Sequence, residues 1–308
     1  MRVGVATHPG RKRRQNEDAY VAAPPLFAVA DGMGGAKAGE VASGLAAAAL
    51  REGEANGASG EERVTSLIQE ANRRVFRRAS EDHSASGMGT TMTVALVEER
   101  RIVFGHVGDS RAYLIREGQL EQLTDDHSLV AELVRSGRLT PEEAEAHPQR
   151  SVITRAVGTE PDVDVDTFAL EPAVGDLFLI CSDGLTDMVD DRTIIEAVER
   201  HRDDLEEAAR SLVAAANQVG GEDNITVVFF EPGADAADTA AAPAVQADDE
   251  DTLSGVDEVP PVDTAVVPPE EAQAPAEPRR RGRALPIVAG FSILLIAAAA
   301  ILWLLDNL

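Results

Sequence analysis

The tightest constraint on this chain is a recurring pattern, an apolar run that stops at an aspartate with glycine directly behind it. "LFAVADG" (26–32) and "DLFLICSDG" (176–184) both follow it. "GEDNITVVFF" (221–230) inverts the order, with Asp223 and Asn224 immediately ahead of the run. "IVFGHVGDSRAYLI" (102–115) sets Gly-Asp-Ser between two runs and reads as two strands with hairpin character. Short apolar runs bounded by turn residues fit strands buried in a sheet. If neighbouring strands alternate in direction, the ends of some meet the starts of others at one sheet edge. Asp31, Asp109, Asp183 and Asp223 then converge.

A single Asp-Gly is by default a turn, because the Asp side chain bonds nearby backbone N–H groups. Four at strand ends change the weighting, since gathered carboxylates repel unless a cation sits among them. Hard oxygen donors select Mg²⁺ or Mn²⁺, and glycines beside the acids let backbone and substrate approach closely.

Composition narrows the function further. The formal charge of −26 over 308 residues argues against nucleic acid as a partner, and phosphate chemistry on such a surface calls for cations. One cysteine, Cys181, rules out an internal disulfide framework and fits a reducing compartment. The start, "MRVGVATHPG", lacks the apolar core of a signal peptide.

Three zones follow one another. Residues 1–231 mix apolar runs, helix-like stretches and turns, and predict one globular domain. Residues 232–278 hold twelve acids and no Lys or Arg among Ala and Pro, the composition of a disordered linker. That linker extends to 283 through the basic cluster "RRRGR" (279–283). Residues 284–305, "ALPIVAGFSILLIAAAAILWLL", carry no charge and suffice for one transmembrane helix across a core of about 30 Å. Arg on its N-terminal flank predicts a cytoplasmic domain on a single-pass anchor, with 306–308 as a short external tail.

Other chemistries lack their residues. The glycines after Asp31 do not have dinucleotide-fingerprint spacing, and neither a Walker A loop, a G-x-S-x-G elbow nor an HExxH helix occurs. A cysteine phosphatase needs Arg six positions beyond its nucleophile, where Cys181 has Asp187. Cys181 and His106 both lie inside apolar runs and read as core.

Taken in order, "RRQNEDA" (13–19), "ADGMGG" (30–35), "GMGTTMTVAL" (87–96), "GHVGDSRAYLI" (105–115), "LTDDHS" (123–128), "SVITRAVG" (151–158), "LICSDGLTD" (179–187) and "GEDNITVV" (221–228) resemble the type 2C, metal-dependent serine/threonine protein phosphatases. The resemblance spans residues 3 to 230, and bacterial members with an acidic linker and one tail helix are especially similar. It implies an α+β fold, an αββα sandwich of two antiparallel sheets with a helix pair on each outer face. "GEVASGLAAAAL" (39–50) and residues 63–79 suit covering helices.

Carried over by motif, the resemblance makes Asp31 the bridge between two Mn²⁺ or Mg²⁺ ions. Asp183 and Asp223 complete the first, the Gly32 carbonyl serves the second, and Asp18 and Glu17 hold coordinated waters. Arg13, five before Asp18, grips the substrate phosphate. Asp109 with Asp183 forms a weaker third site, and Asn224 orients its loop. Where many eukaryotic relatives place a histidine after Asp-Gly, this chain has Met33, so no leaving-group acid is assigned.

The implied activity is hydrolysis of phosphoserine and phosphothreonine on proteins by metal-activated water, opposing membrane serine/threonine kinases and acting on those kinases and their substrates. Two alternatives are a catalytically silent membrane-tethered binding module, which lost ligands would signal, and a hydrolase of small phosphoesters, which a nucleotide fingerprint would signal. Residues 129–150, polar and helix-prone with breaks at Gly137 and Pro141, match the family's flap and are expected to tune substrate choice.

Overall fold

The computed structural model describes residues 1–34, 38–53, 60–82 and 85–233. The acidic linker from 234 onward, the basic cluster 279–283, the run 284–305 and the tail 306–308 lie outside the described residues, as does Gly35. Among the described residues no helix is long and apolar enough to cross a membrane.

Along the chain come β1 (Arg2–His8), β2 (Asp18–Ala23), β3 (Leu26–Met33), α1 (Ala38–Glu52), α2 (Glu61–Glu81), β4 (Gly89–Thr90), β5 (Met92–Val97) and β6 (Ile102–Val107). Then follow β7 (Arg111–Arg116), β8 (Gln119–Gln122), α3 (Leu129–Arg135), α4 (Pro141–Glu145), β9 (Asp166–Leu170) and β10 (Leu177–Cys181). The short turn α5 (Asp183–Thr186), α6 (Asp191–Arg200), α7 (Leu205–Val219) and β11 (Ile225–Glu231) complete the described part. One sheet has the order β1-β11-β10-β7-β8 and the other β2-β3-β5-β6-β9, with β4 beside β3. Every paired neighbour is antiparallel.

The unbroken apolar runs are explained by burial on both faces. Side chains alternate along a strand. On β10, Phe178 and Ile180 point between the sheets while Leu177, Leu179 and Cys181 point under the helices. On β3, Phe27 and Val29 take the inner side, and Ala28 and Ala30 lie against α1 and α2. Five of the eight phenylalanines meet in the inner layer. Phe27 stacks on Phe230 at 4.3 Å between centroids, and Phe230 on Phe178 at 5.1 Å. Burying each such ring contributes about 1.5–3 kcal/mol, so this row clamps the sheets together.

Helix faces follow from spacing. Val64, Leu67, Ile68, Ala71 and Val75 of α2 fall on one stripe and are buried. Leu205, Ala208, Ala209, Leu212, Val213 and Ala216 of α7 do the same beneath the other sheet. Asp190 and Asp204 cap α6 and α7, accepting from Thr193 N–H at 2.9 Å and Glu207 N–H at 3.0 Å. The result is the expected αββα sandwich.

The hairpin expected over 102–115 is not formed. β6 pairs with β5 and β9, whereas β7 belongs to the other sheet beside β10 and β8. Both strands are buried on both faces, so each finds its partners in a separate sheet, and Gly108–Ser110 is the step between them. β3 also departs from expectation, running on through Asp31 and Gly32 because Asp18, Gly89 and Thr90 continue its ladders.

Residues 129–150 form two short helices with no buried residue. Pro141 begins α4 rather than breaking a helix, since Thr140 and Glu143 form a reciprocal capping box around it.

Candidate metal centre

The site lies at the common end of both sheets. Asp18 and Asp31 are register partners on β2 and β3. Asp183 opens the turn after β10, Asp223 precedes β11, and Asp109 sits in the step from β6 to β7. Convergence therefore joins two sheets rather than one edge. Gly32 is forced by close approach: a Cβ there would stand 2.1 Å from the Gly39 carbonyl oxygen and 2.6 Å from that of Glu17. Gly184 is similarly constrained, its Cβ position lying 2.0 Å from the Asn224 carbonyl oxygen.

Hydroxyls and amides set the acids in place. Ser182 and Thr226 hydroxyls both donate to Asp18 Oδ2, at 2.8 and 2.6 Å. The Asp31 N–H donates to Thr91 Oγ1 at 2.9 Å, and the Thr90 hydroxyl donates to the Asp31 carbonyl at 2.8 Å. Asn224 accepts the Glu17 N–H at 2.7 Å and donates to the carbonyls of Pro9 and Gln15. It thus ties the loop carrying Arg13 and Glu17 to the start of β11. Arg13 Nη2 donates to Asp223 Oδ2 at 2.6 Å, with its side chain about half exposed at the rim.

The electrostatics favour a cation. Burial, then neighbouring carboxylates, push Asp18 up to about 7 and Asp109 to about 8, and hold Asp31 well above the carboxylate range. Asp183 rises to about 6 by burial and the charges of Asp187 and Asp223, partly opposed by a hydrogen bond with Asp31. Burial also raises Glu17. Asp18 Oδ1 and Asp183 Oδ1 are buried without a hydrogen-bond partner. Orphaned carboxylate oxygens among like charges are the donor set a hard divalent ion takes. Among the described residues, no three acidic, imidazole or thiol side chains already form a finished ion cage. Asp18 is turned partly onto hydroxyls and Asp223 onto Arg13.

A cleft of about 1070 Å³ leads from Asp109 and Asp183 past Arg111 and Asp187 to Val130 and Pro141 of the 129–150 segment. Arg150 of that segment pairs with Asp187 at 2.7 Å.

The description of the protein phosphatase 2C family matches residues 10–221. The chain belongs to the protein phosphatase 2C family. It is 40% identical over 242 residues to the serine/threonine phosphatase stp of Listeria welshimeri, covering 75% of this chain and 96% of that one. It is 41% identical over 233 residues to the serine/threonine protein phosphatase PstP of Mycobacterium tuberculosis, covering 75% of this chain and 45% of the relative. The crystal structure of that M. tuberculosis phosphatase superposes with a TM-score of 0.70 at 41% identity, over 74% of this chain and 97% of the other. A catalytic domain of PstP in complex with two manganese ions superposes at 0.68 with 39% identity, over 74% and 96%.

Within this phosphatase 2C domain, Asp18, Asp31, Asp109, Asp183 and Asp223 act on one another electrostatically, with Arg13 and Glu17 adjoining. Ser182, Thr226 and Thr91 were missed by the sequence reading. Thr226 is the lone polar residue inside "ITVVFF" and so interrupts an apolar run, whereas Thr91 is one of three threonines in "GTTMTV" and carries no such signal. His106 is a satisfied core residue, its ring bonded to Thr93 and the Asp125 carbonyl and driven down to about 3 by burial.

Proposed function

We infer that this chain is a metal-dependent protein-serine/threonine phosphatase. The observation that carries the reading is the gathering of five aspartates from both sheets around orphaned carboxylate oxygens, with Arg13 at the rim. The relatives' names and the two manganese ions of the PstP catalytic domain support it.

We assign Asp31, the Gly32 carbonyl, Asp183 and Asp223 to two Mn²⁺ or Mg²⁺ ions, with Asp18 and Glu17 acting through water. Asp109 and Asp183 are assigned to a weaker third site. Bound there, such ions supply Lewis acidity that lowers the pKa of water and offsets phosphate charge. Arg13, about half exposed and with one Nη on Asp223, has further N–H donors, and a planar guanidinium suits two phosphate oxygens. Ser182 and Thr226 hold Asp18 by one oxygen and leave the other free. In the net reaction water oxygen bonds to phosphorus, the bond to the serine or threonine oxygen breaks, and that oxygen leaves protonated. Met33 has no proton to give it. Cys181 provides no thiolate, since burial pushes its thiol up to about 12.

The run 284–305 with its flanking Arg cluster supports a single-pass membrane anchor and a cytoplasmic domain. Membrane serine/threonine kinases and their phosphorylated substrates are then the clients within reach. The exposed segment 129–150, at the mouth of the cleft, tunes the choice among them.

The test is phosphate release from a phosphothreonine peptide by the full chain with Mn²⁺ or EDTA, beside Asp31→Asn and Asp183→Asn. Turnover indifferent to chelation and to both substitutions overturns the assignment. Membrane fractionation of the full chain against one ending at 278 tests the anchor; equal solubility removes it.

A further inference from the structure

The step carrying Asp109 is clamped on both sides. After it, the Ser110 hydroxyl lies 2.7 Å from Thr91 Oγ1, which also accepts the Asp31 N–H. Before it, Gly108 has φ +113, and a Cβ there would stand 2.6 Å from Thr91 Cβ. One residue holds the peptides on both sides of it: the Gly108 N–H, shared with Val107, donates to the His127 ring at Nδ1 at 3.0 Å, and the Gly108 carbonyl, shared with Asp109, accepts the His127 backbone N–H at 2.8 Å.

The first bond fixes the tautomer. Nδ1 accepts from an amide, so it carries no proton, and Nε2 donates to Asp166 Oδ2 at 3.1 Å. Asp166 in turn takes Arg155 through its other oxygen. The His127 carbonyl accepts the Thr154 N–H at 2.8 Å, which anchors the segment bearing Arg155. The ring is 2% exposed and lies 4.8 Å from that of His106. Arg155, Asp166, His127 and the Gly108 amide thus form a single chain of hydrogen bonds that ends one residue from Asp109.

We propose that His127, its ring oriented by Asp166 and Arg155, is a positioning residue that fixes the Val107–Gly108 peptide and, through Gly108, aims the Asp109 carboxylate at the site it shares with Asp183. The proposal rests on the metal-centre reading given above. Residues that orient ligands from behind typically alter metal affinity by about 10–100-fold, and His127 acts in this way through the backbone.

The experiment compares His127→Asn, His127→Gln, His127→Ala and Asp109→Asn in the full chain. Bound Mn²⁺ is counted from the electron paramagnetic resonance of the free ion, and melting is followed in EDTA. Asn can place its Oδ1 where Nδ1 lies but stops short of Asp166; Gln keeps more volume and reaches towards Asp166 without an acceptor for Gly108. The expected result is that Asp109→Asn loses the weakest Mn²⁺ site. Gln and Ala weaken that site about tenfold or more, and Asn restores it although it fills less space. A packing role alone gives the reverse order, Gln better than Asn, and overturns the proposal, as does weak-site binding unchanged in both. If Ala fails to fold, the comparison of Asn with Gln decides alone. Wild-type protein binding no Mn²⁺ fails the metal-centre reading itself. Wild type and Asp109→Asn binding equally tightly removes Asp109 as a ligand and the proposal with it.

Discussion

Asp18 and Asp31 stand opposite one another on β2 and β3, two carboxylates sharing one rung of a ladder. Like charges so placed oppose strand pairing, and burial pushes both groups upward. What holds Asp18 there is a pair of hydroxyls from the other sheet, Ser182 and Thr226. The place of Asp18 on this rung is therefore set from the second sheet.

Each hydroxyl has a further partner: Ser182 Oγ accepts the Thr226 N–H at 3.0 Å, and Thr226 Oγ1 lies 2.8 Å from the Thr7 hydroxyl. Ser182→Ala removes a donor to Asp18 and orphans a buried amide, at a cost of about 1–3 kcal/mol. Thr226→Ser keeps its hydroxyl and costs less. Urea denaturation and Mn²⁺ titration calorimetry of both variants check this; equal stability and affinity for the two would contradict the shared role.

The carboxyl groups make stability in EDTA pH-dependent. Asp18, Asp31 and Asp109 have folded pKa values above the unfolded value of about 3.9. The unfolded chain ionises first, so their stabilising effect is present at low pH and lost as pH rises through about 7 and 8. Buried His106 and His127, with lowered values, act oppositely below about 6.5. Between pH 6.5 and 8.5 the EDTA-treated protein should lose Tm, and the Tm gained on adding Mn²⁺ should grow. Calorimetry showing a flat EDTA profile in that window would refute it.

Two glycines should respond in opposite senses. Gly32→Ala drives a methyl into the Gly39 and Glu17 carbonyls, which should cost about 3 kcal/mol or more and abolish Mn²⁺ binding. Gly44, exposed in α1 with no atom within 4 Å of its Cβ position, should gain about 0.5–1 kcal/mol as alanine. Denaturant midpoints for both variants test the close approach at Gly32.

Cys181 lies fully buried under the helices, and its thiol is pushed up to about 12. Iodoacetamide at pH 8 should leave the folded protein unlabelled and its phosphate release intact, with labelling only in denaturant. Rapid modification of the native state accompanied by inactivation would contradict the core assignment.

The covering helices and the apolar strands were legible because each is encoded locally, by stripes at helical spacing and by runs bounded with turns. Asp31, Asp183 and Asp223 were legible because a carboxylate interrupting a buried run is conspicuous. The step at Gly108–Ser110 was misread, since the choice between a hairpin and a change of sheet depends on β10 and β9, neither adjacent in sequence. Ser182, Thr226 and His127 act through partners from 19 to 208 positions away. Their roles exist only once strand register has set which side chains face each other. Pro141 reads as a break in isolation, and only the box formed by Thr140 and Glu143 makes it a start.

β1 pairs along its whole length with β11, residue 2 opposite 231 and residue 8 opposite 225. The earliest of the described strands therefore waits for the last of them, and the closure of so long a loop is slow to begin. Until then the first sheet lacks its second strand and Asp223 has no place beside Asp183. A polypeptide released early, at any point before this strand, should be inert rather than partly active, so hydrolysis of phosphoproteins cannot start on an unfinished copy.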